Sequence, residues 1–427
     1  MIPYSERIVS LPAEGCSVYV LPTSAQEIVT FRGSFLTLPD MRTDEDLVQD
    51  MVVAVLDKGT RSLDQFEIAE RLDNLGAEIS FYSDGLRVGF RGRSLRADVD
   101  TVLSLAAEQL REPALASDEI EKVRPRLIAS ARRSLESTSD QASGALRRNV
   151  FPPDHPNFAI PPAESIKLYE TIDSERIRAY HAKHFGARGM NAVFVGDIDP
   201  EPVEGSVSRL FGSWKAHACG ESFSREALPP SGGQSFVSMP DKPNAQVSMG
   251  HGLGLRRDDP RFVPLYLANY VLGGNFSARL MTKVRDELGL TYGIRSGVAG
   301  VDVEYDGLWE VSVTLSTDSL ERGIEATRGE LDRFVEGGIT QDELDDKKTT
   351  VTGSFKVGLA TTGGLARTLL ANVERGFGPE YLDRFPEEVE ECTLSAANDL
   401  VRQMLKPEEL HLAVAGARTP DAVPEGR

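Results

Sequence analysis

The feature that most constrains this chain is an internal repeat at long period. Ser83-Asp84-Gly85-Leu86-Arg87-Val88 opens a strand and then a helix, and Tyr305-Asp306-Gly307-Leu308-Trp309-Glu310 does the same 222 residues later. Asp118-Glu119-Ile120 begins a charged amphipathic helix, answered by Asp342-Glu343-Leu344 at an offset of 224. The short apolar strand Ala192-Val193-Phe194-Val195-Gly196 is answered by Leu412-Ala413-Val414-Ala415-Gly416 at 220. The same elements recur in the same order at nearly one spacing, which marks a duplication.

A chain of 427 residues also exceeds the size at which one hydrophobic core stops growing. Two homologous lobes of about 220 residues follow from length and repeat together. The stretch from His217-Ala218-Cys219-Gly220 to Leu228-Pro229-Pro230-Ser231-Gly232-Gly233 is dense in residues that punctuate structure. The expected division is therefore an N-terminal lobe at 1–216, a linker at 217–233, a C-terminal lobe at 234–417 and a disordered tail at 418–427.

Within each copy, alternation as in Val311-Ser312-Val313-Thr314-Leu315 marks strands, and 3.6-residue periodicity as in Phe66-Glu67-Ile68-Ala69-Glu70-Arg71-Leu72 marks helices. The strands come in meandering groups rather than in strict β-α-β alternation. The expected class is α+β, with helices covering a mainly antiparallel sheet in each lobe.

Charge narrows the choice of partner. Lys and Arg number 47 against 66 Asp and Glu, a formal charge of −19, which repels phosphate backbones and anionic membranes. Nucleic acid and lipid are poor partners for such a surface. Cys16, Cys219 and Cys392 stand far apart with no C-x-x-C pair, as expected of reduced thiols in a cytoplasmic protein. The N-terminal residues lack a basic region followed by an apolar stretch, and no run of 18 apolar residues occurs, so a cytosolic location is expected.

One stretch carries a family resemblance. The helix running from Asp44 into Asp57-Lys58-Gly59-Thr60-Arg61-Ser62, followed by Leu75-Gly76-Ala77, resembles the entry to the insulinase/pitrilysin-like zinc peptidases, the inverzincins. In that family the helix carries H-x-x-E-H just before a Lys-Gly-Thr turn, because two His at i and i+4 share a face and grip one Zn²⁺. The Glu between them serves as general base toward the metal-bound water.

Counted back from Lys58-Gly59-Thr60, the positions that should read His, Glu and His hold Asp50, Val53 and Ala54. The third ligand of the family is a Glu on a later helix. Arg126-Leu127-Ile128-Ala129-Ser130-Ala131-Arg132-Arg133 looks like that helix, with Ala131 at the ligand position. Zinc lowers the pKa of bound water from about 15.7 to about 7, so losing every ligand removes the nucleophile itself. The resemblance thus implies a chain that binds no metal at this place.

His181 and His184 share a helical face, but no carboxylate is obviously paired with that face, and a packing role is the expected one. His155 before Pro156 reads as the family's His-Pro turn.

The second half keeps more of the pattern. Val271-Leu272-Gly273-Gly274-Asn275-Phe276-Ser277-Ala278-Arg279-Leu280, then Val284-Arg285-Asp286-Glu287-Leu288-Gly289-Leu290-Thr291-Tyr292-Gly293, resembles the family's C-terminal lobe. There a Gly-rich turn, a Ser and an Arg-Leu lead into a helix ending in an Arg, with a Tyr seven residues on. Those positions are Arg285 and Tyr292, with Gly273, Gly274 and Ser277 as the substrate-binding loop.

Gly289 can supply the left-handed cap that ends the helix, letting Arg285 and Tyr292 face one cleft. A cation and a phenolic O–H suit a carbonyl becoming an oxyanion. The plainer alternative has Arg285 complementing the helix C-terminus and Tyr292 filling the core. Glu336-Gly337-Gly338-Ile339-Thr340 resembles the family's turn into an acidic helix and helps to place the lobe.

The resemblance implies a heterodimer: this chain, without peptidase activity alone, would bring Arg285 and Tyr292 to zinc held by a related H-x-x-E-H chain acting on peptide. The rival is a non-hydrolytic scaffold or peptide-binding protein of the same fold. An independent enzyme finds little support, since no Gly-x-Ser-x-Gly elbow and no Walker loop occurs.

Overall fold

The computed structural model describes residues 2–13, 15–215 and 223–417. Six strands form the first sheet: β1 (Val9–Ala13), β2 (Cys16–Pro22), β3 (Ile28–Leu36), β4 (Glu78–Asp84), β5 (Arg87–Leu95) and β6 (Met190–Gly196). Their spatial order is β1-β2-β6-β3-β5-β4. Five strands form the second: β7 (Gln234–Ser238), β8 (Asn244–Gly252), β9 (Ile294–Ala299), β10 (Leu308–Ser316) and β11 (His411–Gly416), in the order β7-β11-β8-β10-β9.

With β1 set aside, the two orders are the same. In each, one parallel pair joins an otherwise antiparallel sheet: β2 with β6, and β7 with β11. The repeated segments fall on equivalent elements, β5 and β10, the helices Ser117–Glu136 and Gln341–Gly358, and β6 and β11. The duplication and the α+β class expected from the sequence are both present, with helices over two sheets.

The chain divides into two compact units that interleave along the sequence. One comprises Met1–Ala129, Ser165–Phe223 and Ser354–Phe385; the other comprises Ser130–Glu164, Ser224–Gly353 and Pro386–Arg427. Residues 217–222 of the expected linker and the tail at 418–427 lie outside the described residues. The described remainder of the linker, from Ser224, packs within the second unit, where the Leu228 amide donates to Val150 O.

In the first unit, alternation on β3 sends Phe31 and Phe35 to one face and Thr30, Arg32 and Ser34 to the other. Phe31 lies across Gly92 and Phe90 across Gly33, where an added Cβ would come within 2.3 Å of the facing ring. Only glycine lets these cross-strand rings reach the sheet. The other face is covered by the helix Thr362–Glu374, whose Leu365, Ala366, Leu369 and Leu370 pack on Leu21, Val193 and Val195. In the second unit the helix Thr138–Val150 does the equivalent, with Ala145 and Leu146 against Leu308 and Ala413. Each helix comes from the half of the sequence opposite to that of the sheet it covers.

Among the described residues, no helix is long and apolar enough to cross a membrane.

Because Leu369 is fully buried on the first sheet, Leu369→Ala should destabilise the protein by about 2–5 kcal/mol. Chemical denaturation followed by hydrogen exchange should show the loss in β2 and β6, remote from residue 369 in sequence. A cost no larger than that of a surface substitution would show that this helix does not complete the first core.

Candidate functional site

The site residues fall in both units. In the second unit, the apolar helix Phe262–Gly273 runs into Gly273-Gly274, and Gly273 lies so close to β9 that an added Cβ would come within 2.3 Å of the Ser296 nitrogen. Residues Asn275–Arg279 then cross the surface, held by two polar clamps from the helix Gln341–Gly358. Lys347, 6% exposed, donates to Ser277 Oγ at 2.8 Å and to Asn275 Oδ1 at 3.2 Å, so a buried ammonium is satisfied by the loop it holds.

The Arg279 guanidinium makes a bidentate pair with Glu343, both contacts at 2.7 Å. Burial alone would raise the Glu343 carboxyl, but Arg279 and the Thr340 amide and hydroxyl outweigh it and bring it down to about 2.

Next comes a π-helical turn, Met281–Glu287. Wide turns of this kind recur at functional sites. It closes as the sequence implied: Gly289 takes φ +61°, its amide donates to Arg285 O and the Leu290 amide to Val284 O.

This turn brings Arg285 between two exposed rings. Its guanidinium carbon lies 5.5 Å from the Phe276 ring centre and 5.6 Å from that of Tyr292. Cations are held over aromatic faces at such distances. Tyr292 is 89% exposed and Phe276 77% exposed, so Tyr292 does not fill the core and the plainer reading of it falls. Two large rings left in water beside a cation are not explained by packing.

Phe276 and Tyr292 line a cavity of about 590 Å³ with Gly273, Gly274 and Gly293–Arg295. Ser277 faces Lys347 instead. Sequence reading missed Phe276, whose signal was a large apolar residue inside a polar Gly-Gly-Asn-x-Ser turn.

The first unit holds Asp50, Val53 and Ala54, the positions that the resemblance reads as degenerate metal ligands. The helix Glu45–Val55 is fixed by the side chain before the first of them: Gln49 is fully buried, its Oε1 accepts from Tyr180 and Thr37, and its Nε2 donates to Ser83 Oγ and Gly85 O, both at 2.8 Å. At the helix start, Arg176 binds both oxygens of Asp44.

Asp50 therefore faces a cavity of about 370 Å³ lined by Val53, Ala54, Asp57, Ser83, Arg126 and Leu127, among others. It accepts from Tyr169 Oη at 3.4 Å and from Ser83. Burial raises its carboxyl above the usual range against those two bonds. Asp46, one turn earlier, is pushed up to about 6, first by burial and further by Asp50.

Val53 and Ala54 offer no lone pair at the other two positions. From the later helix Ser117–Glu136 it is Arg126 and Leu127 that line the cavity; Ala131 stands one turn further along and is half-buried. Among the described residues, no group of three or more His, Cys, Asp or Glu is placed to hold a metal ion.

The histidines pack. His181 Nε2 meets Leu110 O at 2.8 Å, His184 Nδ1 meets Thr37 O at 2.8 Å and stacks on Tyr180, and His155 stacks on Phe151 in its turn. Cys16 and Cys392 are buried free thiols, and Cys219 lies outside the described residues.

Residues 171–351 match the family model described as Peptidase M16 inactive domain. An uncharacterized zinc protease of Streptomyces coelicolor is 23% identical, over 73% of this chain and 68% of its own. The non-peptidase homolog YmxG of Helicobacter pylori is 22% identical, over 86% of this chain and 84% of its own.

Among solved structures, a peptidase M16 inactive domain from Pseudomonas fluorescens superposes with a TM-score of 0.85 at 23% identity, covering 97% of this chain and 98% of that one. A protease from Helicobacter pylori gives 0.83 at 15%, covering 96% and 99%.

The fold is that of the M16-type structures, and Asp50, Val53 and Ala54 line one cavity in the first unit. By its fold and through residues 171–351 the chain is similar to the M16 peptidases, the insulinase/pitrilysin-like group that its sequence resembles.

The Asp46 carboxyl gives a pH test. An acid raised in the folded state adds stability below its unfolded pKa of about 3.9, and that stability is lost as pH rises toward about 6. Asp46→Asn should therefore melt progressively higher relative to the wild type as pH goes from about 4 to about 6. Parallel melting curves over that range would show that Asp46 titrates normally.

Proposed function

We propose that this chain is the substrate-binding, zinc-less subunit of a two-chain peptidase, pairing with a related chain that carries H-x-x-E-H. The carrying observation is the Arg285 guanidinium between two exposed rings, Phe276 and Tyr292, that themselves line a cavity. Zinc in the partner supplies the activated water and polarises the peptide carbonyl. This chain supplies what a carbonyl becoming an oxyanion needs: a fixed cation in Arg285 and a phenolic donor in Tyr292.

Strand β9 is the outer strand of its sheet, and its first residues line the same cavity. An extended peptide adds to such an edge through backbone hydrogen bonds. Gly273 and Gly274 keep the floor of the cavity low, while Lys347 and the Arg279–Glu343 pair hold the loop in place without touching substrate. Arg285 takes its position from the stack and the π-turn, which leave its planar fork partly in solvent.

The degenerate site supports the division of labour, because Val53 and Ala54 can neither ligate nor act as base. The chain alone would then hold no zinc, and its place would be the cytoplasm, consistent with its buried free thiols. The alternative of a scaffold that only binds peptide keeps the cavity and drops the role in turnover.

The test is peptidase activity on a quenched fluorescent peptide with this chain alone, an H-x-x-E-H relative from the same genome alone, and the two mixed with zinc. Activity in the mixture only is the expected result. A relative equally active without this chain would reduce it to a scaffold, and activity from this chain alone would overturn the account of its metal positions.

A further inference from the structure

A second cavity, of about 590 Å³, lies in the first unit on the sheet face covered by the helix Thr362–Glu374. Its cations stand out in a chain of charge −19. Arg32 on β3 is the direct cross-strand partner of Arg91 on β5, and Arg93 follows two residues on, on the same face. Like charges placed directly opposite are destabilising, and guanidinium groups stay protonated at any physiological pH, so the pair cannot relax by losing a proton.

The neighbours do not neutralise it. Arg93 lies 3.6 Å from Glu78, which takes up one cation. Arg91 Nε donates to Ser80 Oγ at 2.8 Å, and Arg32 bonds the phenol of Tyr82, so both have neutral partners. Among the described residues no carboxylate stands within ion-pair distance of Arg32 or Arg91. Burial, then Arg91 and Arg367, lower the Arg32 pKa against the pull of Tyr82, as for a cation lacking its counter-charge. Thr362 and Gly363 in the first turn of the covering helix line the same space, and that end of a helix carries a partial positive charge.

The geometry points to a phosphoryl-binding site in which the Arg32 and Arg91 guanidinium groups clamp the oxygens of a phosphate group, with Arg93 at its edge. Paired planar forks match phosphate oxygens in bidentate fashion. The cavity falls in the range of about 300–1,000 Å³ typical of small-ligand pockets, well above the needs of a bare phosphate ion, so a small phosphate ester is accommodated as well as inorganic phosphate or pyrophosphate. Bound anion would relieve the repulsion between the strands, so binding and stability are coupled. None of this depends on Arg285, Tyr292 or a partner chain.

Isothermal titration at low ionic strength with inorganic pyrophosphate and, separately, with adenosine monophosphate tests the assignment. Saturable binding of either probe is expected, weakening with added salt and falling about tenfold or more in Arg32→Gln, as for loss of a charged hydrogen bond. Preference for one probe separates an ester from a free phosphate source, and both results support the site.

Arg91→Gln is the second variant: it should melt higher than the wild type without ligand, because one of two opposed charges is gone, and should lose the shift that pyrophosphate produces. No saturable binding of either probe, or binding equal in wild type and both variants, would overturn the inference.

Discussion

Each sheet of this protein is completed by a helix from the other half of the chain, and the rest of the structure depends on that exchange. A sheet with helices on one side still exposes its second face, and strands such as β6 and β11 are apolar on both faces. The helix Thr362–Glu374 closes the first sheet over Leu21, Val193 and Val195, and Thr138–Val150 closes the second over Leu308 and Ala413. Neither half of the sequence contains a whole core. Burying Leu365, Leu369 and Leu370 therefore ties the fold of the first strands to residues more than three hundred positions away.

On this frame the two copies have diverged in chemistry. In the first, the helix Glu45–Val55 is locked by Gln49 and presents Asp50, Val53 and Ala54 to a cavity. The acid it presents is a carboxyl bonded to Tyr169 and Ser83 that burial makes reluctant to ionise. In the second, a loop pinned by a buried lysine and a bidentate ion pair presents a cation between two exposed rings. Such an arrangement costs ordering of the loop and exposure of apolar area, which a packing role alone does not offset.

Much of this was legible in the sequence where the signal is local or repeated. Strand alternation, helical period and three recurring segments fix the elements and their doubling. Of the residues that reading singled out, Tyr292, Gly273 and Gly274 line one cavity, Arg285 lies against the Tyr292 ring, and Gly289 forms the left-handed cap. The rest depends on contacts distant in sequence.

Helix exchange leaves no periodic trace, because a helix shows which face is apolar and not which sheet will cover it. Tyr169 meets Asp50 from more than a hundred residues away. Phe276 gains meaning only once the π-turn brings Arg285 over its ring, and a one-residue widening of a helix has no compositional signature. Ser277, read as facing substrate, is instead the acceptor for Lys347, whose burial inside a charged helical stretch no local pattern announces.

The most direct measurement is the turnover of a zinc-loaded complex assembled with Arg285→Ala or with Tyr292→Phe, with assembly and zinc content measured alongside. The account predicts intact assembly, unchanged zinc and a fall in kcat of about a hundredfold for loss of a group that stabilises an oxyanion. Unchanged kcat in both variants, with the complex formed, would contradict it and leave the exposed stack a peptide-binding surface with no part in turnover.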